Sequence, residues 1–341
     1  MKKIRTVLIG LGTVNIGVLK ILIDQQKKIR ETYHVELVIV GVADSSGVAV
    51  SRNGYSYEEL LELKARKKHV ADLKGFSSQL LVDTICEHVD GELLIESSPG
   101  NLKTGNPGLQ IVKNALSKGW SVVLANKAPL VFGFDELHQL ANSNKVRIAF
   151  SATVCGGLPV INMLQRDLKL AKLKSLKGIF NATSNYILKS LEGGGTFEDA
   201  IKEAQRLGAA EADPSHDVNG HDTANKLFII MKSFTNFKGS ISDIAVQGIQ
   251  GIGYNELRES RDKGFKVKLV ASAEDQNGDW KLSVKPMRIE ANSFLGTCDG
   301  WEMGLELKTD LYESIALKNY EADPLGTSAA VLRDVLEIVK E

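Results

Sequence analysis

The chain has 341 residues, 43% hydrophobic and 25% charged, with 42 Lys+Arg against 42 Asp+Glu. That length suggests two domains, each able to bury its own core. A net charge of zero gives no reason to expect a nucleic-acid or anionic-membrane partner, and no apolar run approaches the roughly 20 residues that span a bilayer. The opening MKKIRTVLIGLG is basic and then apolar, as in a leader segment. It is short, is interrupted by Gly10 and Gly12 and lacks a small-residue cleavage site, so it reads as a first strand. Cys86, Cys155 and Cys298 are far apart with no metal-ligand spacing, which suits reduced thiols in the cytoplasm.

Taken in order, residues 4–9 form a β-rich apolar run, Gly10, Leu11, Gly12, Thr13 and Val14 make a turn, and a helix is predicted over 14–30. A second buried strand, 35–42, ends at Ala43-Asp44. Strand, Gly-rich turn, helix, strand and acid is the order of a dinucleotide-binding unit. Gly10 permits the tight turn, and Gly12 lets the backbone approach a pyrophosphate at the helix N-terminus. The third glycine position of the fingerprint holds Asn15, with Gly17 two residues later. Asp44 suits a ribose 2′-hydroxyl and favours NAD, or it simply begins the turn Asp44-Ser-Ser-Gly47; Arg52 is a cation able to fold over a 2′-phosphate. Helices are predicted over 57–68, 78–89, 107–118 and 134–143, and strands over 92–96, 120–125 and 146–150. Ser97-Ser98 and Lys127 follow strand ends, where an open parallel sheet holds its ligand.

A crossing segment, 151–159, leads into a helix over 160–168 and a strand over 173–181. Thr183 or Ser184 is the expected cap of a helix ending near Leu191, and another helix covers 197–207. The densest polar stretch follows, with Glu211, Asp213, Asp217, Asp222 and Lys226 within sixteen residues, interrupted by Pro214 and Gly220. A helix starting near Gly220 puts Asp222 and Lys226 on one face. By spacing alone that pair is most often a solvated ion pair. His216 reads as a loop histidine. Strands over 267–273, 280–289, 304–307 and 314–317 and a helix over 325–339 close the chain. The expected architecture is an α/β Rossmann-type nucleotide-binding domain, 1–150, completed by the C-terminal helix 325–341, plus an α+β substrate-binding and dimerisation domain, 151–324.

The spacing Ala204-x-x-x-Gly208, Glu211-x-Asp213-Pro214, Asp217-Val-x-Gly220-x-Asp222-x-x-x-Lys226 resembles the signature of the homoserine dehydrogenase family. The turn 10–17, the strand end Ala125-Asn126-Lys127 and the segment NATSNYIL, 181–188, are similar to the family in the same order. The resemblance spans nearly the whole chain, and the length leaves no room for an aspartate kinase or an appended regulatory domain. It implies NAD(P)-dependent interconversion of L-homoserine and L-aspartate 4-semialdehyde by a cytoplasmic homodimer of the threonine, methionine and isoleucine route.

By that resemblance Lys226 is the general acid/base, Lys127 a second catalytic lysine between nicotinamide and substrate, and Glu211, Asp217 and Asp222 surround the substrate ammonium. The Thr183 region is the candidate for the substrate carboxylate. The backbone carbonyls of Val154, Gly156 and Leu158 correspond to a sodium or potassium site, although Ser151 stands where the family commonly has glutamate. Ala209, Ala182 and the loop 322–327 also depart from the family's pattern. Ala209 and that loop keep open a related dehydrogenase for another amino-acid semialdehyde or hydroxy amino acid. A non-catalytic nucleotide sensor is the alternative from another class, against which both lysines and the acids argue. NAD is the expected cofactor over NADP on the strength of Asp44.

Overall fold

The computed structural model describes residues 1–207 and 213–340. It divides into two compact units, 1–157 with 324–341, and 158–323. In the first unit, β1 (Lys2–Ile9), α1 (Thr13–Asp24), α2 (Gln26–Lys28), β2 (Val35–Asp44), β3 (Gly47–Tyr55), α3 (Tyr57–Ala65), β4 (Phe76–Ser77), α4 (Ile85–His88), β5 (Leu93–Glu96), α5 (Gly108–Ser117), β6 (Ser121–Leu124), α6 (Ala128–Ser143) and β7 (Ile148–Ala149) follow in order. They build a seven-stranded sheet ordered β4-β3-β2-β1-β5-β6-β7. The run from β2 through β1, β5 and β6 to β7 is parallel, while β3 and β4 add antiparallel pairs beyond β2. Val7, Leu8, Leu94 and Ile95 are fully buried, as a sheet covered on both faces requires.

The second unit contains α7 (Val160–Asn162), β8 (Leu173–Ile179), α8 (Ala182–Glu192), α9 (Phe197–Arg206), α10 (Ser215–Val218), α11 (His221–Phe234), β9 (Ala245–Val246), α12 (Tyr254–Asp262), β10 (Phe265–Gln276), β11 (Asp279–Glu290), β12 (Glu302–Thr309) and β13 (Ile315–Tyr320). Its six-stranded sheet runs β13-β12-β8-β10-β11-β9 and is antiparallel except where β9 joins β11. Asn277 and Gly278, both with positive φ (61° and 103°), form the two-residue turn of the β10–β11 hairpin. The last helix, α13 (Leu325–Val339), returns to the first unit, where Ala330, Val331, Leu332, Val335 and Val339 join the core of Leu8, Leu19 and Ile39. Among the described residues no helix is long and apolar enough to cross a membrane.

Several local expectations change. The helix predicted over 14–30 ends at Asp24, and the chain continues through α2 into a π-helical turn, Ile29–Tyr33. Beyond Leu22 the stretch offers only Ile29 to the core, so nothing apolar holds a straight helix down. The amphipathic helix over 78–89 is reduced to a 3₁₀ turn, Val82–Thr84, and the single turn α4. Leu81 faces solvent, leaving Ile85 and Cys86 as the buried anchors there. Conversely α6 begins six residues before the predicted 134, with Pro129 in its first turn and a kink at Gly133. Asn181, not Thr183 or Ser184, caps α8, accepting from the Ser184 N–H at 2.7 Å.

Candidate active site

In the first unit the predicted nucleotide residues converge at the C-terminal edge of the parallel strands. The Gly10 N–H donates to the Ala43 carbonyl at 2.8 Å, and the Ser97 N–H donates to the Ile9 carbonyl at 2.9 Å. The Ser97 hydroxyl closes the same turn on the Gly10 carbonyl at 3.0 Å. Gly10 has φ +79°, and a Cβ there would lie 2.6 Å from the Ser98 backbone, so only glycine lets the two strand-end loops approach this closely. Asn15 is buried and donates to the carbonyls of Ile9 and Gly10. In place of the fingerprint's third glycine, it ties α1 to the turn.

Gly12 caps α1, and a Cβ built on it meets nothing within 4 Å. That open flank beside the first N–H groups of α1, with Leu11, Thr13 and Val14 around it, fits a pyrophosphate. The residues present thus suit a dinucleotide.

Two carboxylates border this edge. Glu96, the last residue of β5, is fully buried. Burial pushes its carboxyl up to about 7, even though Ser98 donates both its N–H, at 3.0 Å, and its hydroxyl to Oε1. Asn126, on the next strand end, accepts from the Ala128 N–H at 3.0 Å, so it fixes the turn carrying Lys127 into α6. Lys127 occupies the cap position of that helix.

Asp44 ends β2, but its carboxylate is turned inward. Oδ1 accepts from the Ser46 N–H (2.8 Å) and hydroxyl (2.6 Å). Oδ2 accepts from the Val70 N–H (3.2 Å) and the Lys64 ammonium (3.3 Å). Burial acts to raise this carboxyl's pKa, yet the donors from Ser46, Val70 and Lys64 prevail and hold it below the ordinary aspartate value. Arg52, by contrast, lies five residues along β3 from Gly47, the pairing partner of Asp44. The register of β3 on β2 is interrupted around it, and the cation paired with Asp44 is Lys64, not Arg52.

In the second unit α8 and α11 start side by side around one polar network. Lys226 and Asp222, four apart on α11, form an ion pair of 2.7 Å with both side chains 12% exposed. The expected solvated surface pair is therefore a largely buried one. The Lys226 ammonium also donates to the Phe180 carbonyl at 2.6 Å. Asn181 supplies the link that sequence reasoning missed, donating to Asp217 Oδ1 (2.6 Å) and Asp222 Oδ2 (2.8 Å). Thr183 is buried in the first turn of α8. Asp217, Asp222, Lys226 and Asn181 are thus gathered at one place, with a cation and two carboxylates held by an amide. Glu211 and Ala209 lie outside the described residues.

One turn after Asn181, Asn185 carries a second network that the sequence reading also missed. Its amide donates to the carbonyls of Gly300 (3.1 Å) and Glu302 (3.0 Å), and its oxygen accepts from the Lys268 ammonium (2.9 Å). Lys268 is fully buried in β10 and pairs with Asp299 at 3.0 Å. Burial pulls its pKa down, with Asp299 opposing. No sequence signal marks it, because the alternation of β10 places lysines at 266 and 268 as readily outward as inward.

The segment expected to hold a monovalent cation has Val154 buried and positive φ at Cys155 (54°) and Gly156 (50°), and the Leu158 carbonyl accepts from the Val160 N–H at 2.8 Å. Among the described residues no group of three or more His, Cys, Asp or Glu is placed to hold a metal ion.

The chain matches the family model described as homoserine dehydrogenase over residues 159–336, and that described as homoserine dehydrogenase, NAD binding domain, over 10–151. It is 31% identical over 333 residues to a homoserine dehydrogenase from Methanocaldococcus jannaschii, covering 97% of each chain. It is 28% identical to an NAD(+)-dependent homoserine dehydrogenase from Pseudomonas canavaninivorans, covering 99% of this chain and 97% of that one. A solved hyperthermophilic archaeal homoserine dehydrogenase in complex with NADPH superimposes with a TM-score of 0.84 at 26% identity, covering 99% of this chain and 98% of that one.

Proposed function

The chain belongs to the homoserine dehydrogenase family of NAD(P)-dependent oxidoreductases, and on that premise we propose that its own residues run the reaction as follows. L-Homoserine and L-aspartate 4-semialdehyde are interconverted, with Lys226 exchanging the hydroxyl proton. A bound nicotinamide would supply the hydride for reduction and accept it in oxidation.

The observation that carries this reading is the largely buried Lys226–Asp222 pair joined through Asn181 to Asp217. Asp217 and Asp222 offer carboxylates to the substrate ammonium, with Glu211 expected to join them. Thr183, buried at the start of α8, is the candidate partner of the substrate carboxylate. As the aldehyde is reduced, negative charge grows on its oxygen. An ammonium stabilises that charge and delivers a proton to it. In the oxidation direction Lys226 must first lose a proton, and Asp222 at 2.7 Å resists this. The same pairing keeps Lys226 in the charged form from which reduction starts, while it resists proton loss in either direction.

In the first unit Gly10, Leu11, Gly12, Thr13 and Val14 hold the pyrophosphate, Ser97 and Ser98 border the cofactor, and Lys127 is the cation at the end of β6. A sodium or potassium ion on the carbonyls of Val154, Gly156 and Leu158 belongs to the same reading, supported by the tight turn at Cys155 and Gly156. So does a homodimer, supported by the exposed Leu311, Tyr312 and Tyr320 near the edge strand β13. A cytoplasmic location completes it, in keeping with three free cysteines.

The test is spectrophotometric. Homoserine oxidation with NAD or NADP, and semialdehyde reduction with the reduced forms, are followed by nicotinamide absorbance. Lys226→Ala should lower kcat about 100- to 10,000-fold, the usual contribution of a general acid–base, while dinucleotide still binds. Folded wild-type protein that turns over neither substrate removes the activity, and an unaltered kcat in the variant removes Lys226 from its role.

A further inference from the structure

Lys268 has no part in the chemistry proposed above, yet it places a fully enclosed charge in the second unit, on β10. An apolar side chain of similar length would cost less to bury. The ammonium donates to three oxygens: Asn185 Oδ1 (2.9 Å), Asp299 Oδ1 (3.0 Å) and the Cys298 carbonyl. That uses every donor a lysine has. Asp299 is held from its open side by the Lys266 ammonium at 2.7 Å.

The effect falls on Asn185. Because a lysine only donates, it admits one orientation of the Asn185 amide, with the oxygen toward it. The amide N–H groups then face the carbonyls of Cys298 (3.3 Å), Gly300 (3.1 Å) and Glu302 (3.0 Å). Tyr186, the next residue, stacks on Trp301 of the same loop with ring centroids 4.5 Å apart. The first turn of α8 is thus tied to β10 and to residues 298–302. Its other end is the candidate active site. The Asn185 N–H closes the turn on the Asn181 carbonyl at 3.2 Å. The Asn181 amide holds Asp217 and Asp222, and the Phe180 carbonyl accepts from Lys226. A single helical turn therefore separates the anchor of the buried lysine from the groups that hold the reacting one.

We infer that Lys268 is a positioning residue for the reaction: by fixing the Asn185 amide it holds the first turn of α8, and with it Asn181 and the Phe180 carbonyl, in register with Asp222 and Lys226 on α11. The inference rests on the proposed role of Lys226 and extends it to a side chain that touches no reacting atom.

Steady-state kinetics of wild type, Lys268→Met, Asn185→Ala and the double variant test it, each assayed well below its own melting transition, with cofactor affinity read by fluorescence titration with NADH and NADPH. Lys268→Met leaves Asp299 its pair with Lys266, and Asn185→Ala leaves Lys268 its bonds to Asp299 and the Cys298 carbonyl, so neither strands a buried charge. Each single variant should lower kcat for homoserine about 10- to 100-fold, the scale of a misplacement of about 1 Å, at unchanged cofactor affinity. The double variant should lose no more than the worse single, since both cut one connection. Variants that melt earlier but keep the wild-type kcat overturn the inference, as do losses that multiply in the double variant. Should Lys268→Met lack a cooperative melt, Asn185→Ala decides alone by the same fall in kcat or its absence. An inactive folded wild type, or an unaltered kcat in Lys226→Ala, overturns the reading beneath the inference, and is told apart because it shows without any change at Lys268 or Asn185.

Discussion

Glu96 is a carboxyl that burial has priced out of its ordinary ionisation range. It is fully enclosed, and its pKa rises from 4.5 to about 7 because desolvation of the anion outweighs the Ser98 donors. Between those two pH values the folded chain holds a proton that the unfolded chain has released. The contribution of Glu96 to folding stability must then fall as pH rises from about 4.5 to about 7, and stay level on either side, by a total on the order of 3 kcal/mol. Glu96→Gln cannot titrate, but its amide oxygen still accepts from the Ser98 N–H. The difference in Tm, variant minus wild type, should therefore grow by several degrees between about pH 5 and about pH 8. Thermal melts at the two pH values decide the matter, and an equal difference at both would show that Glu96 is not the titrating group. The consequence reaches the nucleotide edge, since the same carboxyl holds Ser98, whose backbone lies against Gly10.

At the scale of elements, α1 and α13 approach through small residues. A Cβ on Gly17 would lie 2.2 Å from the Ser328 hydroxyl oxygen and 2.8 Å from its Cβ. Ser328 uses that closeness to donate to the Val14 carbonyl at 2.9 Å. Gly17→Ala gains about 1 kcal/mol of helix propensity, but the overlap costs about 1–3 kcal/mol, so the variant should melt lower. Ser328→Gly removes the obstruction, and the double variant should be less destabilised than the sum of the singles. Strictly additive penalties would mean that the two helices do not meet there. The spacings of two and five residues between Gly10, Gly12 and Gly17 were visible as a turn motif, yet the partner of Gly17 comes from more than 300 residues away, which no local pattern encodes. The same division runs through the rest of the fold. β1, β2, β5 and β6 were legible because buried parallel strands are continuous apolar runs. β3 was not, because its second half, Ser51-Arg-Asn-Gly54, reads as a turn while Val48 and Ala49 pair onto β2. The pairing of Asp222 with Lys226 was legible from their spacing, but their burial was not, since spacing alone reads as a solvated pair. Asn181 was seen only as part of a similar segment, since its two carboxylate partners arrive from 36 and 41 residues away.

Over the whole molecule, the chain begins and ends in the same unit, and the second unit is an excursion between Gly157 and Pro324. The first unit is therefore incomplete until its last 18 residues have been made, and α13 should be required for it to fold. Val331, Leu332, Val335 and Val339 are buried in the core of β1 and α1. At about 1.5–3 kcal/mol for each such side chain, they contribute on the order of 10 kcal/mol. That matches the whole net stability of an ordinary domain, about 5–15 kcal/mol. Asp334 adds a polar tie, accepting from the Ser151 N–H (2.7 Å) and hydroxyl (2.6 Å), and Arg333 donates to the same hydroxyl at 3.0 Å. Ending the chain after Asp323 strips these groups away and leaves Ser151 and the apolar faces of β1 and α1 open to water. The expected outcome is loss of NADH and NADPH binding and rapid proteolysis within 1–157, while fragments from 158–323 persist because that sheet and its helices form their own compact unit. Limited proteolysis with mass analysis of the fragments, alongside the cofactor titration, reads both halves of the prediction. A truncated chain that resists cleavage within 1–157 and still binds dinucleotide would show that α13 decorates the first unit without completing it.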